Sequence, residues 1–413
     1  MFDEKMLAKY AELIVVSGVN IKKDQPVFVR ADFTALPLAR AVVKAAYEHG
    51  AKKVYVQYGD ETISRMHYEY QSIETLADIP EWAYDARWSY CKEGACLISI
   101  VSGNPDIMNG ISSERLHAGD AKAYANPKFN EMVTYSMSNQ GQWIVVAYPS
   151  VDWAKKVFPE LSEKAAYKKL SEAILAASRV TKRNDPIKEW VKHSNRIKKN
   201  YKVLNSYNFK SLHYTNALGT DLTIDIVKNH IWAGGAEKAA NGIVFNPNIP
   251  TEEVFTMPAK FGVNGKVVAT KPLNFGGKLI ENFWLKFENG RVVEYDAEKG
   301  LDALKSLIET DEGSHYIGEV ALVPFDSPIN NSGILFYNTL FDENASCHLA
   351  LGRAYPMNLK GGVKMTQEEL SAAGANFSHT HNDFMIGSKD LSIVGTTYDG
   401  KEVQVFKDGN FAF

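Results

Sequence analysis

The residues best suited to do chemistry lie in two short stretches in the last third of the chain, residues 342–348 and 378–387. His379, His381 and Asp383 are spaced by two, so in an extended segment their three side chains lie on one side. Carboxylates mixed with imidazoles are the ligands that suit zinc, cobalt or manganese. The spacing therefore predicts a site for a divalent metal, which would make the protein a hydrolase.

Two further residues extend this cluster. His348 and Tyr355 are seven apart, which on a helix is two turns and one face, and we expect a helix to begin within residues 346–351. Taken alone, a buried histidine at this position is more often a hydrogen-bonded core residue than a ligand. Cys347 is expected to pack in the core, although a nucleophilic thiol with His348 as its base is the alternative.

Two glutamates stand in apolar surroundings, where an unpaired charge would be costly to bury. Glu319 lies within the apolar run 317–324, and Glu253 follows a Pro-Asn-Ile-Pro turn in the run 250–256. A single glutamate in a strand usually points to solvent. Because both belong to the same half of the chain as the histidines, a ligand role and an exposed position remain open for each.

The first half of the chain must supply a scaffold of alternating helices and strands. Apolar residues at helical spacing, or in short runs rich in β-branched residues, predict helices over 6–16 and 37–49 and strands over 26–31, 54–58, 95–101 and 142–148. Continuous apolar strands separated by helices indicate an α/β domain with a mostly parallel sheet. No GxGxxG follows the first strand, and Gly59-Asp60 after the second is better explained as a plain turn, which argues against a dinucleotide.

Beyond about residue 200 the pattern changes to short strands punctuated by glycine and asparagine. The run 283–293 is typical of a hairpin with an Asn-Gly turn, and 300–309 is typical of a helix. We therefore expect a mixed, largely antiparallel α+β domain that carries the metal site. The change in composition places the domains at 1–190 and 191–413.

Composition narrows the class of protein. The 413 residues are 45% hydrophobic and 23% charged, with a formal net charge of −3 and three cysteines, which excludes disordered, collagenous and disulfide-framework proteins. No run of 18 apolar residues and no signal-peptide pattern occurs, so we expect a cytoplasmic protein with no membrane partner. The basic run 192–202 is expected to be a solvated helix face rather than a nucleic-acid contact.

Four segments in order, 248–256, 318–320, 342–352 and 381–387, resemble the signatures of the aminopeptidase T and aminopeptidase S family of metalloaminopeptidases, the aminopeptidase S members most closely. The resemblance extends over nearly the whole chain. It implies two divalent metal ions, from among zinc, cobalt, manganese and magnesium, in one site. It also implies that the ligands are Glu253, Glu319, His348, His381 and Asp383, with Glu319 as the bridging carboxylate.

The same resemblance implies an enzyme that activates water to release N-terminal residues from short peptides with a free N-terminus, and a homodimer. It places Tyr355 in the site, where its hydroxyl could stabilise the oxyanion. Glu343 is either a further ligand or a proton carrier, and Glu252 is the other candidate for carrying the proton. His379 has no counterpart in the family pattern. Two alternatives are a metal-dependent amide or ester hydrolase that needs no free amine, and a Rossmann-like ligand-binding module.

Overall fold

The computed structural model describes residues 2–413, which divide into two compact units. The first unit comprises the chain through Ser194 together with Ala236–Pro250, and the second comprises Asn195–Gly235 and Thr251–Phe413. The domain boundary at 190/191 remains a prediction. None of the described helices is both long and apolar enough to cross a membrane.

The first unit contains a four-stranded parallel sheet, as predicted. Its strands are β1 Pro26–Asp32, β2 Lys53–Gly59, β3 Cys96–Val101 and β4 Trp143–Ala147. The spatial order is β2-β1-β3-β4, and all three pairings are parallel. Strands β1 and β3 are mostly buried, in keeping with their continuous apolar sequences, whereas the edge strand β2 is largely exposed.

Helices connect these strands. They are α1 Glu4–Leu13, α2 Leu36–Glu48, α3 Glu61–Tyr70, α4 Ile73–Ala77, α5 Trp82–Lys92, α6 Ser113–Leu116, α7 Asp120–Ala125, α8 Pro127–Met137, α9 Val151–Val157 and α10 Glu163–Ala177, followed by α11 Pro186–Tyr207. Asp60 caps α3 by accepting a hydrogen bond from the Ile63 backbone N–H, so Gly59-Asp60 is a turn into a helix, as expected. The basic side chains of 192–202 lie on the exposed face of α11.

The remaining strands are mostly antiparallel. In chain order they are β5 Phe209–Thr215, β6 Asp221–Ile226, β7 Glu237–Lys238, β8 Val244–Phe245, β9 Val254–Thr256, β10 Pro258–Val268, β11 Leu273–Phe275, β12 Lys278–Glu288, β13 Arg291–Lys299, β14 Ile317–Leu322, β15 His348–Gly352, β16 His381–Met385, β17 Ser392–Thr397, β18 Glu402–Lys407 and β19 Asn410–Phe411. The expected hairpin is β12–β13, and Asn289 and Gly290 in its turn both have positive φ.

The second unit builds two antiparallel sheets from these strands. One has nine strands, in the order β11-β12-β10-β6-β5-β17-β18-β19 with β13 paired to β12, and the other has four, in the order β16-β15-β14-β9. Short helices complete the unit: α12 Leu301–Ile308, α13 Pro328–Asn331, α14 Thr339–Asp342 and α15 Gln367–Ala372. Side chains from both sheets share one hydrophobic core.

The prediction of a helix beginning within residues 346–351 is wrong. His348 begins strand β15, whose five residues are all buried, and Tyr355 lies in the loop that follows it. A short continuous apolar run fits a buried strand as well as a helix, and here pairing with strands on both sides decides in favour of the strand.

Candidate metal centre

All five residues predicted as metal ligands lie on or beside the four-stranded sheet of the second unit. Glu253 immediately precedes β9, Glu319 lies in β14, and His348 is the first residue of β15. His381 and Asp383 are alternate residues of β16, so the predicted spacing by two holds for this pair.

The register of the sheet brings these side chains to one face. Ala350 of β15 is directly opposite Glu319 on one side and Asp383 on the other, and residues directly opposite each other share a face. Within β15, His348 lies two residues before Ala350 and is therefore on that face too. Gly352, two residues further, is opposite His381. The small residues in the central strand leave space among the ligands.

A bulge at Gly318 directs Glu319 toward this face. Ile317 is opposite Leu351 and Glu319 is opposite Ala350, so Gly318 has no partner of its own in the register. A Cβ atom at Gly318 would overlap the carbonyl oxygen of the residue that ends β15, Gly352. Glycine is therefore required by the close approach of two backbones beside the site.

Two groups of three side chains converge, and they share Glu319. The first is Glu253, Glu319 and His348, and the second is Glu319, His381 and Asp383. One oxygen of Glu319 lies 3.7 Å from His348 Nε2, and its other oxygen lies 3.6 Å from His381 Nε2. His348 Nε2 is also 3.1 Å from Glu253 Oε2, and His381 Nε2 is 3.4 Å from Asp383 Oδ1.

Both histidines present the same ring nitrogen to the carboxylates. His381 Nδ1 lies 2.8 Å from the Arg353 carbonyl oxygen, and His348 Nδ1 lies 3.3 Å from that of Ser346. With the proton on Nδ1, each ring donates to a backbone carbonyl and turns the Nε2 lone pair toward the carboxylates, an arrangement that orients metal-ligating histidines.

The donors of the site fit a divalent cation. Asp383 Oδ1 is buried and has no hydrogen-bond partner among the described residues. The Nε2 atoms of His381 and His348 lie 3.4 Å and 3.9 Å from it, so their lone pairs converge on the carboxylates. Converging lone pairs are stabilised only by a proton or a cation between them. Carboxylate oxygens with imidazole nitrogens are ligands for zinc, cobalt and manganese.

The electrostatics of the cluster reflect its crowded carboxylates. Burial raises the pKa of Glu319 to about 7, although the nearby His348 imidazole opposes the shift. Burial lowers the pKa of His381, but the Asp383 carboxylate more than offsets this and raises it to about 9. Burial likewise lowers the pKa of His348, yet its contacts with the Glu253 and Glu319 carboxylates bring it well above its ordinary value. Excess negative charge in a buried site favours a bound cation.

The three residues predicted to be catalytic are Tyr355, Glu343 and Glu252, and their surroundings differ from one another. The Tyr355 ring lies 4.7 Å from the His381 ring, and burial followed by the charges of nearby carboxylates raises the pKa of its phenol well above 10. Burial, then the charges of Asp383 and Glu253, raises the pKa of Glu343 well above its ordinary value, so its carboxyl interacts electrostatically with the cluster. The Glu252 carboxylate instead forms an ion pair with Arg196, with Nη2 and Oε2 3.3 Å apart.

Two residues that lie close to the candidate ligands in the sequence, His379 and Cys347, are outside the cluster in the structure. His379 precedes β16, is exposed, and belongs to neither converging group. Its backbone N–H donates to Asp311, and its ring contacts Phe377. Cys347 packs in the hydrophobic core, where burial raises the pKa of its thiol to about 12, which argues against a nucleophilic role.

Sequence reasoning missed the groups that hold the ligands in place. The carbonyls of Ser346 and Arg353 orient the two imidazoles, and the side chain of Asn344 bonds to both Glu343 and the Glu252 backbone. Backbone acceptors carry no signal in the residue type. Asn344 stood within the metal-binding stretch and could have been identified there as a polar residue beside a candidate carboxylate.

Comparison with known proteins identifies the family. The model of the thermophilic metalloprotease (M29) family matches residues 3–411. The chain belongs to this family. It is 50% identical to aminopeptidase AmpS of Bacillus subtilis (strain 168) over 412 residues, which cover 100% of this chain and 99% of that protein. It is 38% identical to aminopeptidase T of Thermus aquaticus over 98% of both chains.

Two solved structures have the same fold as this chain. Wild-type AmpT from Thermus thermophilus superimposes with a TM-score of 0.90 at 36% identity, covering 99% of this chain and 100% of that one. The structure of 2,5-dihydroxypyridine dioxygenase from Pseudomonas putida KT2440 has a TM-score of 0.54 at 13% identity, covering 100% of this chain and 98% of that one, and shows the fold alone. These findings confirm the expected family, the fold class and a metal-dependent aminopeptidase.

Proposed function

We propose that this chain releases N-terminal residues from short peptides at a site holding two divalent metal ions, with Glu319 as the bridging ligand. The observation that carries the proposal is that two groups of potential ligands share Glu319, whose two oxygens face different imidazoles. Glu253 and His348 would hold one ion, and His381 and Asp383 the other. Zinc, cobalt, manganese and magnesium are the candidate ions.

When bound, a pair of divalent ions polarises the scissile carbonyl and lowers the pKa of water toward about 7, so that a nucleophile is present at neutral pH. The chain's own residues then handle binding and protons. The phenol of Tyr355 stays protonated beside His381, so it can donate a hydrogen bond to the oxyanion of the tetrahedral intermediate.

We assign the proton transfer to the leaving amine to Glu343 rather than to Glu252. The charges of Asp383 and Glu253 act on the Glu343 carboxyl and help to raise its pKa, whereas the Glu252 carboxylate is paired with the guanidinium of Arg196. A carboxylate already paired with arginine is a poor proton carrier, because the positive charge favours its anionic form.

A peptide with a free N-terminus is the substrate that suits this site. When bound, one of the divalent ions would accept the free α-amine of a peptide as a ligand, which selects for an N-terminus. The relatives named above are aminopeptidases. A tetrapeptide should be cleaved faster than the N-terminus of a folded protein, and equal rates would contradict the preference for short substrates.

The remaining proposals concern the setting of the enzyme. Three free, buried cysteines fit a reducing cytoplasm. We propose a homodimer with domains at 1–190 and 191–413, and peptides rather than nucleic acids or membranes as partners. Light scattering on the purified protein gives the oligomeric state directly, and a monomeric mass would contradict the dimer.

The decisive experiment is hydrolysis of a leucyl or arginyl chromogenic amide by chelated protein, before and after addition of Zn²⁺, Co²⁺, Mn²⁺ or Mg²⁺. Activity should return in the wild type and in His379→Ala, but not in His381→Ala. The pair is matched, because the two histidines are two residues apart and only His381 belongs to the cluster.

The same assay separates an aminopeptidase from other metal-dependent amide hydrolases. N-acetylation of the substrate should abolish its cleavage, because the site then meets no free amine. Undiminished cleavage of the acetylated substrate would instead favour an amidase that ignores the N-terminus, and folded protein inactive with every metal would overturn the proposed function.

A further inference from the structure

Asn344 is fully buried next to the metal centre, and its side chain makes hydrogen bonds through both of its polar atoms. Its Oδ1 accepts from the Glu252 backbone N–H at 2.7 Å. Its Nδ2 donates to the Leu340 carbonyl at 3.0 Å and to Glu343 Oε1 at 3.2 Å. A neutral amide is the side chain that can accept from one segment and donate to another at the same time.

These bonds join two segments that are 92 residues apart in the sequence. One segment carries Glu253, the residue after the anchored Glu252 backbone, and the other carries Glu343. The Glu252 carboxylate is itself held by Arg196, so the first segment is fixed by its backbone and by its side chain.

We propose that Asn344 is a positioning residue with two separable effects. Through Oδ1 it fixes the segment that presents Glu253 as a ligand, and through Nδ2 it orients the Glu343 carboxyl for proton transfer. The inference rests on the proposed function of Glu253 and Glu343. Interactions of this kind behind metal ligands commonly change metal affinity or activity by about 10–100-fold when they are removed.

Two substitutions separate the effects. Asn344→Ala removes both links, so the affinity of the chelated protein for Co²⁺, measured by calorimetry, should fall by about 10–100-fold, and kcat of the Co²⁺-loaded enzyme should fall as well. Asn344→Asp keeps an acceptor for the Glu252 N–H but replaces the donor to Glu343 and to the Leu340 carbonyl with an oxygen. This variant should bind Co²⁺ no more weakly than the wild type, while its kcat falls about 10-fold or more.

A double-mutant cycle tests the link between Asn344 and Glu343. The Glu343→Gln variant no longer has the carboxyl that the Asn344 amide orients, and the amide that replaces it can itself donate to an aspartate at position 344. Adding Asn344→Asp to that variant should therefore lower its residual kcat by less than about threefold. An equal fractional loss of kcat with and without Glu343→Gln would show that Asn344 acts only through the general fold.

The matched control is Asn246→Ala. Asn246 is also a buried asparagine that accepts through Oδ1, from the Ser194 hydroxyl, and donates through Nδ2, to the Ser17 carbonyl, but neither partner belongs to the metal centre. This variant should lower the melting temperature while Co²⁺ affinity and kcat stay close to those of the wild type. If Asn344→Ala does not fold, Asn344→Ser provides the same comparison with a smaller neutral side chain.

The outcomes are distinguishable. Folded Asn344 variants with wild-type affinity and kcat would overturn the positioning role while leaving the proposed function intact. A wild-type protein that neither binds Co²⁺ nor hydrolyses the amide would overturn the proposed function itself. Weaker binding in Asn344→Asp equal to that in Asn344→Ala would contradict the separation of the two links.

Discussion

Two glutamates, one in each unit, have the same raised pKa in very different surroundings. Burial raises the pKa of Glu61, at the start of α3, to about 7, and burial does the same for Glu319 in β14. Glu61 accepts hydrogen bonds from the Asn104 backbone N–H, and the charged groups that further raise its pKa are acidic. Glu319 lies between two imidazoles and belongs to both converging groups.

The difference shows what identifies a functional site in this protein. A perturbed pKa reports that a carboxyl has left water, which both glutamates have done at least in part. Only Glu319 of the two is surrounded by donors of different chemical types whose lone pairs meet at one point. Among residues 2–413, no converging group of potential metal ligands includes Glu61.

The strongest test of this comparison replaces each glutamate by its neutral isostere. Glu319→Gln should lower kcat/KM by more than about 10³-fold, because losing the carboxyl that we propose both ions share would remove several kcal/mol of transition-state stabilisation. Glu61→Gln should keep wild-type activity in the same amide assay. Comparable losses in the two variants would mean that the half-buried carboxyl of Glu61 also takes part in the reaction.

Metal removal should lower the stability of the four-stranded sheet of the second unit more than that of the parallel sheet of the first unit. A ligand at 100 times its dissociation constant stabilises the folded state by about 2.7 kcal/mol. Chelation should therefore reduce hydrogen-exchange protection in β14, β15 and β16, and leave β1 and β3 unchanged. In Glu319→Gln, adding metal back should restore little of that protection. Equal loss of protection in both sheets would contradict a site confined to the second unit.

Alanine substitutions at two glycines, Gly318 and Gly59, compare the backbone near Glu319 with the backbone of the first unit. Gly318→Ala should destabilise the protein by about 1–3 kcal/mol, because its Cβ would overlap the Gly352 carbonyl. It should also lower activity by about 100-fold by displacing Glu319. Gly59→Ala, at the end of β2 where a Cβ meets no atom within 4 Å, should change neither thermal unfolding nor activity.

The smallest expected effect is on the pH dependence of stability. Since the folded-state pKa of Glu61 is raised to about 7, the folded protein binds this proton more tightly than the unfolded chain. Glu61 therefore destabilises the fold progressively as the pH rises from about 4.5 to 7, and fully above that range. Allowing for solvent screening, Glu61→Gln should be about 1–2 kcal/mol more stable than the wild type at pH 8.

Urea unfolding at pH 5 and pH 8 measures this effect. The difference between Glu61→Gln and the wild type should be small at pH 5 and larger at pH 8. A difference independent of pH would show that Glu61 ionises normally in the folded protein.

Local sequence was sufficient where one segment carries its own pattern. The four strands β1 to β4 are short runs rich in apolar and β-branched residues, and they form the parallel sheet that such runs predict. The Asn289-Gly290 turn predicts its hairpin because both residues tolerate positive φ. Prediction failed at residues 346–351, where a short apolar run has no intrinsic preference and pairing with β14 and β16 decides.

The sequence by itself determined the ligand types, the spacing of His381 and Asp383, and the family to which the chain belongs. Tertiary structure alone decided which carboxyls converge. Strand register places Glu319 and Asp383 opposite the same residue, Ala350, and the folded chain pairs the carboxylate of Glu252 with Arg196. The physical reason is that a metal site depends on distances between segments far apart in the chain, and only the pairing of strands fixes those distances.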